Sequence, residues 1–466
     1  MRIAFCTACK NRLQHLRETL ARNLIDNADY ANLVFVVLDY GDDPSLGEYL
    51  RNTFSEQISS GRLVVYRYET HGPFRMAHAK NMSHRAAMLE GADVLVNMDA
   101  DNYTGVGFAQ WIADTFTAGM FLWSRMVQRC NQPIDAQCCI LPRNHVEPCT
   151  HDMQTLSANY SPDERPRVRG ISGRLAMSAN AYRCVGGYDE KYQDYGPDDQ
   201  DMNKRLRRLG LIAREIPARF LGAIHHSSKM RFRDYPHAAD RDSAWLPVVP
   251  ALDTCVVNFG FFGCGEVSRN FEPPFDINPI PTRIFGIGMH KTATSSLSAA
   301  LNMLGLDCAH WISPKWARDI WSQMRTTGKS LTMEQHYSLT DFPIGMIYQE
   351  LDLAYPNSKF ILTLRSETAW LKSVRDHWDY KRNPWRSDWD WDCFSHRMHH
   401  EIYGRKSFDA DIFLERYRRH NQEVLDYFKG RTDDLLVMNT GDQWDGLCRF
   451  LHLPMPNSSY PRVNVT

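Results

Sequence analysis

Three groups of side chains in this sequence have the types and spacing that chemistry needs. The run Gly286-Ile-Gly288-Met-His-Lys291-Thr292-Ala293-Thr294-Ser295-Ser296 sets a lysine and several hydroxyls on a glycine-bearing turn. An apolar stretch suited to a buried strand precedes it, and Leu297, Ala300, Leu301 and Leu304 follow at helical spacing. Free N–H groups and the dipole at a helix N-terminus attract anions, and Lys291 adds positive charge, so this is a phosphate cradle. The second group is Asp99-Ala100-Asp101, two carboxylates at the end of a strand-like run. Buried carboxylates are costly unless paired or bound to a cation. Their hard oxygens suit Mg²⁺ or Mn²⁺, ions that bridge to a nucleotide diphosphate. The third is Asp198-Asp199-Gln200-Asp201, an acidic cluster opening a helix, where the competing explanation is stabilisation by the helix dipole.

The elements that must position these groups alternate. Arg2–Cys6, Leu33–Leu38, Leu63–Tyr68 and Val94–Met98 are apolar strand runs, and Leu13–Leu24 and Ala77–Leu89 have helical periodicity. Continuous apolar strands separated by helices predict a doubly wound, mostly parallel sheet, which binds ligands beyond the carboxyl ends of its strands. Asp39 and Asp99 both stand at such ends. From Trp245 to Pro281 periodicity is lost among prolines and glycines, yet Val256, Val257, Phe259, Phe261 and Phe262 make the stretch too apolar for a free linker. The expected organisation is a first domain over 1–246, a packed connector over 247–282 and a second α/β domain over 283–466.

At 466 residues two domains are expected. The 54 basic and 55 acidic side chains nearly cancel, against a general nucleic-acid or membrane-surface binder. No apolar run approaches the ~18 to 20 residues of a membrane span. The opening MRIAFCTACKNR lacks a signal-peptide pattern, and the twelve cysteines show no disulfide framework. A cytoplasmic enzyme is the expectation. Cys130, Cys138, Cys139 and Cys149 with His145 and His151 fit no standard zinc finger.

A longer pattern surrounds the third acidic group. Gly186-Gly187-Tyr188-Asp189-Glu190, then Tyr195-Gly196, then the Asp198–Asp201 cluster resembles the C-terminal part of β-1,4-galactosyltransferases and related family-two enzymes, nucleotide-sugar glycosyltransferases of the GT-A type. The resemblance implies that Arg12 faces a uridine diphosphate, that Asp39 contacts base or ribose, and that Arg75 and Lys80 line the donor site. It makes Asp99 and Asp101 the D-x-D metal ligands, with His226 the favoured imidazole ligand of the pair His225-His226. Asp199 matches the general base and Asp198 its acceptor-binding neighbour. Metal and basic groups would stabilise the departing diphosphate while one carboxylate deprotonates the attacking hydroxyl, a direct displacement with inversion.

The phosphate cradle lacks the glycine that a Walker loop places before its lysine. Lys291-Thr292-Ala293-Thr294-Ser295-Ser296-Leu297 instead resembles the sulfotransferase loop that holds 3′-phosphoadenosine 5′-phosphosulfate (PAPS), with Ala293 in place of its usual glycine. Arg365 at the end of a strand and Ser373 eight residues on match the family's grip on the 3′-phosphate. Leu435–Asn439, the Trp444–Leu451 helix and Pro461-Arg462-Val463-Asn464 extend the resemblance over nearly all of 283–466. One branch of the family has an Asp-x-Pro where Asp341-Phe342-Pro343 stands, ahead of an expected helix over Ile344–Leu353. Asp341 is thus the first candidate for acceptor base and His336 the second. The four tryptophans between Trp378 and Trp391 suit either sugar stacking or core packing. Together these resemblances imply a chain that transfers a sugar from a UDP-sugar and a sulfuryl group from PAPS to a glycan or glycoconjugate. A kinase-like or non-catalytic second domain is the alternative.

Overall fold

A computed structural model describes residues 1–124, 139–140, 173–192, 197–225, 255–378, 394–405 and 408–463. The chain forms two compact units. The first holds residues 1–252 and 261–279, and the second 253–260 and 280–466.

In the first unit the apolar runs become β1 (Ile3–Cys9), β2 (Leu33–Tyr40), β3 (Leu63–Tyr68) and β4 (Val94–Asn97). They pair in parallel in the order β3-β2-β1-β4. The chain winds outward from β1 to β3 and then crosses to the other side of β1, which creates a switch point between the ends of β1 and β4. Five further strands complete a nine-stranded sheet. These are β6 (Met120–Trp123), β8 (Leu175–Ser178), β9 (Ile212–Glu215), β11 (Gly265–Arg269) and β12 (Phe275–Ile277), giving the order β12-β11-β3-β2-β1-β4-β8-β6-β9. A second, three-stranded sheet joins β5 (Asn102–Tyr103), β10 (Gly222–His225) and β7 (Cys139–Ile140). The aperiodic stretch before residue 282 thus supplies two strands, β11 pairing antiparallel with β3. They are too short for alternation to reveal them in the sequence.

β2 and β4 are buried throughout and β1 at every residue but Ala8, as expected of parallel strands covered on both faces. Phe5, Phe35, Val37, Val96, Phe108 and Ile112 centre the core on one face. Helix Met76–Leu89 is also almost wholly buried and carries Lys80 into the interior.

The second unit is an all-parallel, five-stranded sheet in the order β14-β15-β13-β16-β17, from β13 (Ile284–Gly286), β14 (Cys308–His310), β15 (Ser338–Thr340), β16 (Lys359–Leu364) and β17 (Leu435–Asn439). Helix Thr294–Met303 follows β13 through the phosphate loop. The helix expected over Ile344–Leu353 is divided into a 3₁₀ turn Ile344–Met346 and a helix Tyr348–Ala354, because Ile347 leaves helical geometry at φ −121°. Both units are α/β folds, as the strand and helix alternation predicts.

Candidate active sites

In the first unit the acidic residues collect around one buried lysine. Lys80 Nζ donates to Asp198 Oδ2 at 2.7 Å and to Asp199 Oδ1 at 2.6 Å. The Lys80 side chain is 6% exposed and that of Asp198 4%, whereas Asp199 is 19% exposed and reaches toward solvent. Burial alone would lower the lysine's pKa, but Asp198 and Asp199 more than offset it and hold the ammonium well above its ordinary value. Burial raises Asp198 to about 6 against the pull of Lys80. Asp99, at the switch point, is also raised to about 6 by burial, with Lys80 pulling it down and Asp101 and Asp199 pushing it up. A Cβ on Gly173 would stand 3.1 Å from Asp199 Oδ2 and 3.3 Å from Asp99 Oδ2, so those two carboxylates converge on one small space.

The ends of β1 and β2 bring further expected residues near one another. Burial pushes the Cys9 thiol up to about 12, and Asp39, Arg12 and Asp101 all act on it. Asp39 is buried, its Oδ2 accepts no hydrogen bond, and Arg67 Nη1 lies 3.9 Å away. Burial therefore raises Asp39 to about 7 despite Arg67. Arg75 Nη2 lies 3.8 Å from Glu190 Oε2. Asn81 is a fastener. Its amide donates to Tyr188 O at 2.8 Å and accepts from Tyr188 N at 2.7 Å, holding the Gly186-Gly187 turn. Asp201 pairs with Arg205 at 2.7 Å within its own helix. His226 lies outside the described residues, as do most of the cysteine and histidine set near 130–151 and the tryptophan-rich stretch 379–393. Among the described residues no group of three or more His, Cys, Asp or Glu is disposed to hold a metal ion.

In the second unit the expected residues meet around an open cavity of about 540 Å³ at the carboxyl ends of the strands. Lys291 through Ser296, Asp341, Arg365 and Ser373 all line it. The loop is tight because a Cβ on Gly288 would fall 2.0 Å from Thr363 Oγ1. Lys291 and Ala293 take left-handed backbone at φ 66° and 71°. Thr292 turns its hydroxyl inward, to Thr363 Oγ1 at 2.7 Å, and so fixes the loop. The Arg365 guanidinium donates to Lys291 O at 3.2 Å. Trp370 Nε1 donates to His290 O at 2.9 Å, tying the loop to helix Glu367–Trp378, which carries Ser373.

A family model described as "Sulfotransferase domain" matches residues 283–466. One described as "N-terminal domain of galactosyltransferase" matches residues 154–229. This chain carries a glycosyltransferase and a sulfotransferase domain. A curated relative, Ava biosynthesis cluster protein M of Aspergillus versicolor, is 26% identical over 212 residues, 39% of this chain and 80% of that protein. Solved structures similar to this chain include a Pyrobaculum calidifontis mannosyltransferase in complex with GDP-Man and Mn²⁺, 18% identical, covering 53% of this chain and 67% of that one at TM-score 0.33. Another is S. aureus TarS 1–349 in complex with UDP, 14% identical, covering 50% and 63% at TM-score 0.32. This chain thus spans about two thirds of each of those structures.

Within the sulfotransferase domain the two candidate bases separate. Asp341 directly follows β15 and lines the cavity, while His336 does not line it and pairs with Asp307 Oδ2 at 3.1 Å. The sequence reading passed over His310, which ends β14 in the same cavity beside Asp341, although the strand-end rule applied to it equally. In the glycosyltransferase unit it passed over Arg174, a buried cation whose Nη2 donates to Asn102 Oδ1 at 2.9 Å and whose charge acts on Asp99 and Asp101. No local pattern announces that residue. No helix among the described residues is long and apolar enough to cross a membrane.

Proposed function

We propose that the chain is a bifunctional glycan-modifying enzyme. The first unit transfers a sugar from a UDP-sugar to an acceptor hydroxyl with inversion, and the second transfers a sulfuryl group from PAPS to a carbohydrate hydroxyl. The observation that carries the reading is the meeting of Lys291–Ser296, Arg365, Ser373 and Asp341 in one cavity of a domain matched to the sulfotransferases.

In the second unit the loop amides, Lys291 and the Thr294, Ser295 and Ser296 hydroxyls would hold the phosphosulfate, and Arg365 with Ser373 the 3′-phosphate. Asp341 takes the acceptor proton while the acceptor oxygen bonds sulfur, and the bond from sulfur to the bridging phosphate oxygen breaks. Lys291 steadies the departing adenosine 3′,5′-bisphosphate.

In the first unit Asp199 is the general base, Asp198 binds the acceptor, and Arg12, Asp39, Arg75 and Lys80 hold the donor. The small space left by Gly173 between Asp99 and Asp199 suits a hard ion held by a few carboxylates and substrate phosphates. Asp99, Asp101 and His226 would hold Mn²⁺ or Mg²⁺, which supplies positive charge to the departing diphosphate. Cys6, Cys9, Cys184, Cys255, Cys264, Cys308 and Cys448 form no disulfide among the described residues, in keeping with a reducing, cytoplasmic setting.

A thermal-shift screen of the whole chain tests this, since a ligand of the folded state raises the melting temperature by mass action. Adenosine 3′,5′-bisphosphate, but not ATP, should stabilise one transition, and a UDP-sugar with Mn²⁺ should stabilise another. Preference for ATP would favour a kinase-like second domain, and no response to any nucleotide would favour a non-catalytic module.

A further inference from the structure

The imidazole of His310 sits between the phosphate loop and the acceptor base. Its Nε2 is 3.0 Å from Ser295 Oγ and 3.5 Å from Asp341 Oδ2, and its Nδ1 is 2.9 Å from Thr340 Oγ1. A hydroxyl that donates to Nδ1 leaves the hydrogen on Nε2, where both Ser295 and Asp341 can accept it. Both contacts use the same nitrogen. The set is therefore not a serine-hydrolase relay, which needs serine and carboxylate on opposite ring nitrogens. Ser295 lies in the first turn of helix Thr294–Met303, His310 ends β14 and Asp341 directly follows β15, so three separate elements converge on one N–H.

We propose that His310 is the positioning residue for sulfuryl transfer, sharing its Nε2–H between Ser295 and Asp341 and closing on Asp341 once a donor phosphate engages Ser295. The proposal rests on the PAPS reading of this cavity. At 3.5 Å the contact to Asp341 is longer than a good hydrogen bond, as catalytic contacts often are before the substrate complex forms. A phosphate oxygen that takes the Ser295 hydroxyl draws it off the imidazole and leaves Asp341 as the remaining acceptor. The carboxylate is then fixed toward the acceptor and held ionised despite its burial. The groups facing it are His310 from β14, through its Nε2–H, and the ammonium of Lys291 from the loop after β13, and both favour the ionised form.

The test uses the full-length chain, PAPS as donor, and water and N-acetylglucosamine as probe acceptors, with the Kd of adenosine 3′,5′-bisphosphate measured alongside. For His310→Ala, kcat should fall about 100-fold, while KM for PAPS and the bisphosphate Kd stay within about threefold. The acid limb of the pH–rate profile should move up, because Asp341 loses a neighbour that lowers its pKa. His310→Gln, which keeps an N–H donor, should recover part of kcat. An unchanged kcat, a loss of bisphosphate affinity matching the loss of kcat, or an acid limb that does not move would each overturn the role. If the unaltered chain neither binds the bisphosphate nor consumes PAPS, the donor assignment itself fails and this role falls with it.

Discussion

The two sites handle their charged groups in opposite ways. In the glycosyltransferase unit the ionic groups answer one another, with the buried Lys80 paired to both Asp198 and Asp199. In the sulfotransferase unit side chains line an open cavity, while the phosphate loop behind them is braced by contacts such as Thr292 to Thr363 and Trp370 to the His290 carbonyl. The first site trades an internal cation for stability, so its groups serve packing and chemistry together. The second keeps those duties on different atoms. Substitutions should therefore cost folding in one unit and ligand affinity in the other.

The largest effect expected is on Lys80. Lys80→Met strands the buried Asp198 carboxylate in the interior beside Asp199 and should destabilise the first unit by ~3–5 kcal/mol, read as a drop in the unfolding midpoint of that unit alone. A variant that melts like the unaltered chain would erase the contrast. Arg365→Ala should leave the melting of the free chain nearly unchanged but weaken adenosine 3′,5′-bisphosphate by roughly 30- to 200-fold, a loss of ~2–3 kcal/mol in isothermal titration. Equal damage to both quantities would make Arg365 a structural residue.

Asp39 sharpens the contrast through pH. Burial raises its folded pKa to about 7, above the unfolded value, so its contribution is fully present in acid below the unfolded pKa and is lost as pH rises through 7. Asp39→Asn should thus stabilise the first unit by ~1–3 kcal/mol at pH 8, with the gain fading as pH falls toward 4. A gain independent of pH would contradict the buried-carboxylate account. The smallest effect belongs to the phosphate loop. Ala293 holds φ 71°, a conformation that costs a residue with a Cβ about 1 kcal/mol, so Ala293→Gly should stabilise the second unit by ~1 kcal/mol without changing bisphosphate affinity.

Much of this is legible in the sequence. The apolar runs of β1 to β4 announced parallel strands, and the rule that ligands gather at strand ends singled out Asp39 and Asp99. What stayed hidden depends on distance along the chain. Arg174 finds its partners 46 and 72 residues away at Phe220 and Asn102, and no local window contains such a pairing. His310 stands in an unremarkable Asp-Cys-Ala-His-Trp run and acquires meaning only when β14 comes to lie beside β15. His336 stands away from the cavity for the converse reason. It is near Asp341 in sequence, yet it precedes β15 whereas Asp341 follows it, at the opposite end of the strand. The strands β11 and β12 went unread because pairing with β3 and with each other supplies what their sequence pattern lacks.

The central claim is that one chain carries two independent transferase sites. The most direct measurement assays Asp199→Asn and Lys291→Ala side by side for sugar transfer from a UDP-sugar and for PAPS turnover. Asp199→Asn should lose sugar transfer by about 10²- to 10⁴-fold and keep PAPS turnover, and Lys291→Ala should show the reverse. Loss of both activities in either variant, or of neither in both, would contradict the account.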